Sequence, residues 1–337
     1  MQRTNTKGYF ILMLALVALP GSFSAQKRNA ENKRDHAAEL PEVIWRDPGD
    51  MTSLNLLYGA GGEGHAPDPN GAFTFLKEDM EHTSPKFDIE DEHGVRWRVK
   101  LGQEPESETA ATRFLWAAGY FVDEDYYLAE FTVTGMPKLQ RGEQFVSADG
   151  TVHRARLERK SKEVKKLGDW DWFDNPFLET RELSGLRVMM SLLNNWDLTQ
   201  DNNAIDDMGN ERRYVVSDVG ATFGNTGNHF TRSKSVSRDY ANSKFVQNSS
   251  SGLIDFVLHS RPFFLSALNV HNYRDRTRME QITKQIPRAD AKWLGQRLSM
   301  LSEEQIRDGF RAGGYTHDEV EVYARTMRKR IGELQAL

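Results

Sequence analysis

The chain has 337 residues, 38% of them apolar and 28% charged, enough to bury one large or two small cores. Its formal charge of -5 gives no overall sign of nucleic-acid binding, so no nucleic-acid partner is expected. With no cysteine it can form no disulfide, no thiolate metal site and no cysteine nucleophile.

Residues 1–25 read as a secretory signal peptide. Arg3 and Lys7 give a positive start, Tyr9 to Leu19 is apolar, Pro20-Gly21 breaks the run, and Ser22 to Ala25 supply small residues for cleavage. The run is too short to cross a bilayer comfortably, and no later stretch is long enough. An exported protein, periplasmic or secreted, is therefore expected, with no transmembrane segment after the signal; an uncleaved anchor is the alternative. Cleavage removes Arg3 and Lys7 and takes the charge from -5 to -7. Residues 26–52 read as a linker and N-terminal extension. Gln26 to Leu40 is polar and charged, while Val43-Ile44-Trp45 is apolar enough to dock on the body.

Gly59-Ala-Gly-Gly-Glu-Gly64 matches G-x-G-x-x-G, but Ala66-Pro-Asp-Pro-Asn-Gly71 follows and cannot be the helix that a dinucleotide site needs. A flexible surface loop is the plain alternative to a phosphate contact. Phe73 to Leu76, Phe87 to Ile89 and Val95 to Leu101 read as strands. In the third, Val95, Trp97, Val99 and Leu101 share one face, and Arg96, Arg98 and Lys100 the other. Pro105 to Ala118 is predicted to be a helix, with Pro near its start and Glu106 and Glu108 in its first turn.

Tyr126 to Val133 is a strand by composition, and Gly135 to Lys160 contains a hairpin turning at Ala148 to Thr151. Arg154 to Lys166 is strongly basic. It reads as a solvated face or as the surround of an anionic acceptor or membrane surface. Asp169-Trp-Asp-Trp-Phe173 is core or a substrate platform. Leu178 to Leu193 is predicted to be a helix, with Leu183, Leu186, Met190 and Leu193 on one face. It leads into Asn194 to Gly224, where Asp197 is followed by Asn202, an apolar strand Tyr214-Val-Val216, and Asp218-Val-Gly220. Phosphoryl transfer from ATP needs an Asp to position the acceptor hydroxyl, and an Asn and a second Asp to hold a metal on the phosphates. Asp197, Asn202 and Asp218 fit that order.

Residues 225–252 are polar and loop-like, long enough for a functional segment. The last third is expected to be helical, with apolar runs at Leu253 to Leu258 and Phe263 to Leu268, and capping boxes at Ser302 to Gln305 and Thr316 to Glu319. The nine histidines show no zinc spacing, and no Gly-x-Ser-x-Gly occurs.

Asp197-x-x-x-Asp201-Asn202 and Asp218-Val-Gly220-x-x-x-Gly224 resemble the catalytic and metal-binding loops of the kinase-like superfamily. The likeness is to its atypical phosphoinositide 3-/4-kinase and HipA-type branches. Asn195-Trp196 stands where His-Arg would precede the Asp, and Val219 where Phe would stand. Ser84-Pro-Lys86 is similar to the glycine-poor phosphate loop of HipA-type kinases.

The resemblance implies an α+β, two-lobed kinase-like fold. Its β-rich N-lobe would cover 53–131 and its mostly helical C-lobe 132–337. The end of the Tyr126–Val133 strand would be the inter-lobe hinge. It further implies ATP and Mg²⁺ or Mn²⁺. Lys100 would sit on the α/β phosphates, with Glu108 as its partner and Glu104 or Glu106 in reserve. Ser84 and Lys86 would lie at the phosphates, Asp197 at the acceptor hydroxyl, and Asn202 and Asp218 on the metal. The acceptor would be a protein, lipid or small molecule. The altered motifs and the export signal leave open an inactive pseudokinase or envelope binding protein.

Overall fold

A computed structural model describes residues 40–81, 84–226, 232–250, 252–258 and 277–337. The signal peptide and most of the linker lie outside the described residues, as does Phe263 to Leu268. The chain divides between Pro41 and Glu42, and the described strands and helices all lie in Glu42–Leu337.

It is a mixed α/β structure. After β1 (Glu42–Val43) come β2 (Phe73–Asp79), β3 (Lys86–Asp91) and β4 (Arg96–Lys100), an antiparallel meander. Helix α1 (Pro105–Ala117) follows, with proline in its first turn, where an amide would have no partner. Next are β5 (Phe121–Val122), β6 (Asp125–Thr134) and β7 (Thr151–Lys160). β7 pairs with both β4 and β6, and β6 pairs in parallel with β2, which closes a barrel in the order β2-β3-β4-β7-β6. Period-two alternation turns Phe87, Ile89, Trp97, Val99 and Leu157 inward, all buried. Each contributes roughly 1.5–3 kcal/mol of burial. The barrel's last strand ends at Lys160, beyond the 131 boundary expected from sequence.

A second sheet takes β8 (Lys165–Gly168), then helix α2 (Arg181–Leu192), then the hairpin β9 (Asn203–Asp207) and β10 (Arg212–Val216). Its order is β1-β10-β9-β8, with β5 also on β10. The Thr180 hydroxyl caps α2 by accepting from the Leu183 amide.

Two expectations change. The 225–252 stretch holds helix α3 (Ser237–Asn242) and strand β11 (Val246–Ser249). Leu253–Phe256 is not helical but strand β12, pairing with β11 and β13 (Ile286–Pro287). Ile254 and Phe256 are buried and Leu253 is exposed, a strand alternation that a short apolar run cannot declare in advance.

Helices α4 (Arg288–Leu298), α5 (Glu303–Arg311) and α6 (His317–Gln335) complete the fold, the last two opened by the expected capping boxes. Among the described residues no helix is long and apolar enough to cross a membrane.

Candidate active site

A cleft of about 930 Å³ lies where barrel strands β3, β4 and β7 face the β8–β10 sheet and the 197–202 loop. Its lining includes Ser84, Lys86, Lys100, Glu104, Glu108, Asp197, Asn202 and Asp218, so the site residues singled out in the sequence meet there, the reserve Glu106 excepted.

The hairpin explains why Asn202 and Asp218 are neighbours. Its register sets Asn203 opposite Val216, so the residues just outside the two strands must lie side by side. The Ser217 and Asp218 amides donate to the Asn202 carbonyl at 3.0 and 3.2 Å. The Asn202 side-chain amide donates to the Asp197 carbonyl at 2.8 Å, which ties the loop to the hairpin. The Asp197 amide in turn donates to Asn195 Oδ1 at 3.1 Å.

Two neighbouring segments are laced together beneath this loop. The Phe223 amide donates to the Leu193 carbonyl at 2.8 Å, and the Asn194 side chain donates to the Gly224 carbonyl at 2.6 Å. Asn194 takes the left-handed φ of 55° that ends α2, a conformation Asn tolerates better than most residues. Buried Arg330 from α6 donates to Asn194 Oδ1 at 2.8 Å and to the Leu192 carbonyl at 2.9 Å. Gly224 is required by close approach, because a Cβ there would collide with the Ser233 carbonyl.

Lys100 is the meeting point. It is the last residue of β4 and fully buried. Its Nζ lies 2.6 Å from Glu104 Oε2, 2.9 Å from Glu108 Oε2 and 3.1 Å from Asp218 Oδ1. Burial alone would lower its pKa, but Glu108, Asp218 and Glu104 outweigh it and hold the ammonium well above the ordinary lysine range. Glu108 behaves oppositely. Burial pushes it up to about 8, against the pull of Arg156 and Lys100. Burial raises Glu104 too, yet Lys100 and Lys234 bring it down to about 2. Burial raises Asp197, and Asp218 and Glu104 add to that rise.

Glu104, expected only as the reserve partner of Lys100, sits on it directly. It also accepts from the Ser84 hydroxyl at 3.3 Å and pairs with Lys234. Glu106, the other reserve, faces away and pairs with Arg154 at 2.5 Å.

Strand register adds a feature invisible to sequence reading. Lys86 of β3 stands opposite Lys100, and Lys100 stands opposite Arg156 of β7. Three cations therefore line up across three strands on the cleft wall. Like charges directly opposite destabilise a sheet unless an anion comes from outside it. Burial and then the Lys100 charge lower the Lys86 pKa.

The basic run is mostly engaged in internal pairs. Arg156 holds Asp125 at 2.6 Å, Lys160 pairs with Glu158, and Lys166 with Asp169 at 2.8 Å. Arg154, Lys160, Lys162, Lys165 and Lys166 are nonetheless exposed, as a solvated face requires. Trp170 and Trp172 are core, while Phe173 is exposed beneath the Arg278 guanidinium.

The end of β6, expected as an inter-lobe hinge, is part of the barrel. The end of β6 pairs with Phe73 and Thr74 of β2. The chain leaves the barrel through Ser161 to Val164, after β7, and Ser161 and Val164 line the cleft. β7, not β6, neighbours the Lys100 strand. The Gly59–Gly64 loop reaches the cleft only through Ala60, and the Gly62 carbonyl accepts from the Tyr126 hydroxyl at 3.1 Å.

For a divalent cation the donors are hard oxygens, which suit Mg²⁺ or Mn²⁺. Carboxylate oxygens of Glu104, Glu108 and Asp218 lie within 4.8 Å of one another. Lys100 lies among all three, Lys234 also pairs with Glu104, and Arg156 faces Glu108. The Asp218 side chain, 39% exposed, is the most accessible of the three and faces the cleft beside Asn202. The residues present fit such an ion.

No family model matches the chain, and no curated protein does. Among solved structures it is similar to the Helicobacter pylori proinflammatory kinase CtkA, at 12% identity and TM-score 0.42, covering 78% of this chain and 93% of that one. It is similar to the Golgi casein kinase with Mn and ADP bound, at 10% identity and TM-score 0.37, covering 98% and 94%. A third is the amicoumacin kinase hAmiN in complex with AMP-PNP and Ca²⁺, at 12% identity and TM-score 0.23, covering 93% and 96%. Overlaps this low decide nothing about this chain, and the cleft is read from its own geometry.

Proposed function

We propose that the protein is an exported, two-lobed, kinase-like phosphotransferase that moves the γ-phosphate of ATP to a hydroxyl acceptor. One observation carries this reading. Lys100 lies within 3.1 Å of both Glu108 and Asp218, on the wall of a cleft that also takes in Asp197 and Asn202. A buried lysine held by a helical glutamate, facing an Asp–Asn–Asp set across a cleft, is the equipment for positioning a triphosphate.

Lys100 and Lys86 would neutralise phosphate oxygens, with the Ser84 hydroxyl donating beside them. Asn202 and Asp218 would hold Mg²⁺ or Mn²⁺, which supplies charge neutralisation on the phosphates when bound. Asp197 would orient the acceptor hydroxyl and take its proton. The acceptor oxygen bonds to the γ-phosphorus as the bond to the β,γ-bridging oxygen breaks, and ADP leaves. Positioning and electrostatics do most of the work.

A second reading, a binding module without turnover, is favoured by Glu104. Its carboxylate already sits on Lys100 and Ser84, the groups assigned to phosphate. Thermal stability of residues 26–337 with ATP, with and without Mg²⁺ or Mn²⁺, beside D218A, separates the two. A metal-dependent rise lost in D218A supports the phosphotransferase. No rise with any nucleotide supports the module.

A further inference from the structure

We propose that Arg156 is a positioning residue that holds Glu108 against Lys100 and thereby sets affinity for the phosphates of the nucleotide. The inference rests on the phosphotransfer reading of the cleft. Nothing in the sequence pattern assigns Arg156 a role, since it falls in the middle of a basic run.

The geometry is specific. Arg156 is buried to 4% exposure on β7, directly opposite Lys100. Its Nη1 donates to Asp125 Oδ1 at 2.6 Å, which anchors one end of the guanidinium to β6. Its Nε points to Glu108 Oε2 at 3.4 Å, the same oxygen that Lys100 Nζ approaches at 2.9 Å.

Arg156 Nε is buried without a hydrogen-bond partner, and the Glu108 Oε2 that it faces is held by Lys100. Buried polar groups are normally satisfied, and an unsatisfied donor stopped 3.4 Å from a carboxylate needs an explanation. Hydrogen bonds of working sites are often long without ligand and shorten in the complex. A rigid fork anchored at Asp125 suits that task, because it cannot follow Glu108 if the helix moves. Lys100 has three carboxylates competing for it, and Arg156 keeps Glu108 in place while phosphate displaces the others.

The test is the affinity of the folded full-length protein for ATP, ADP and adenosine, by calorimetry with Mg²⁺, in wild type, R156M, R156K and K100M. R156M is expected to weaken ATP and ADP by roughly tenfold or more and leave adenosine unchanged. R156K keeps the charge at Asp125 but lacks the fork, and is expected to recover part of that loss. A general folding defect would weaken all three ligands together. Equal weakening of all three, or none, in R156M overturns the proposal. Should R156M not fold, R156K answers alone: a loss confined to ATP and ADP supports the proposal, and wild-type affinity for all three overturns it. K100M separates this from the parent reading. If K100M also binds ATP like wild type, the phosphate cleft itself is wrong.

Discussion

Two charged walls meet at the cleft, and they are built differently. On the β8–β10 sheet the charges alternate along each rung. Lys165 pairs with Asp207, Asp207 with Arg212, and Arg212 with Glu42. The next rung runs Lys166, Asp206, Arg213. In such a ladder every charge faces an opposite one. On the barrel, the rung nearest Asp218 runs Lys86, Lys100, Arg156, all positive. The rung behind it, Asp88, Arg98, Glu158, alternates across the same three strands, and Asp125 of β6 then faces Glu158, like against like. Like charges also face each other at Arg96–Lys160, but the Lys86–Lys100–Arg156 rung is the one with three cations in a row, and it lies where carboxylates and the cleft converge. Stability favours alternation, so a rung of like charges depends on carboxylates from outside its own strands, which here are Glu104, Glu108, Asp218 and Asp125.

The sharpest way to break this contrast is to remove the acidic side of the unbalanced rung. D218A is expected to abolish metal-dependent stabilisation by ATP and to cut turnover by about 10²–10³. Thermal shift and ATP consumption measure the two effects. Unchanged metal dependence would remove Asp218 from the site.

The next effect is on the acid limb of stability. Glu104 is held down to about 2 from an ordinary value of 4.5, and Glu158, buried beside Lys160 and Arg156, to about 2 as well. Their folded pKa values lie below the unfolded ones. The stability they contribute is therefore present above about pH 4.5 and is lost as pH falls towards 2. Urea midpoints across that range should fall less steeply in E104Q and E158Q than in wild type.

K86M is expected to act in opposite directions on stability and binding. Removing one of three aligned cations should raise the stability of the nucleotide-free protein by about 0.2–1 kcal/mol. The same change should weaken ATP. Parallel movement of both quantities would mean that Lys86 is an ordinary structural residue.

The smallest effect belongs to the balanced wall. D207N, away from the cleft lining, should cost no more than about 1 kcal/mol, and high salt should shrink that cost. A chemical denaturation series at two salt concentrations checks it. A loss as large as that of D218A would mean that both walls carry function.

Much of the arrangement was legible one residue at a time. The alternation of Trp97 and Val99 against Arg98 and Lys100 marks a strand with one apolar and one charged face. Pro105, Glu106 and Glu108 mark a helix start, and Ser302 and Thr316 mark two more. The Asp197, Asn202 and Asp218 spacing selects the residues that the cleft brings together, because a short hairpin between two polar turns closes them onto each other. These are local patterns, and local chemistry writes them. The strand at Leu253–Phe256 was not legible, because a short apolar run suits a buried strand or helix equally. The neighbour of the Lys100 strand was not legible either, because two long strands, β6 and β7, both suited the barrel, and pairing alone placed β7 beside it.

By itself, then, the sequence determined the periodicities, the caps and the set of chemically apt side chains. Tertiary structure decided their company. It set Lys86, Lys100 and Arg156 on one rung, brought Glu104 as well as Glu108 to the same ammonium, and turned Arg330 of the last helix onto Asn194. Those contacts join residues up to 136 positions apart. Closing such loops costs entropy that only the collective burial of the two cores can offset. Register and helix placement are properties of the whole packed chain, and no single stretch of it encodes them.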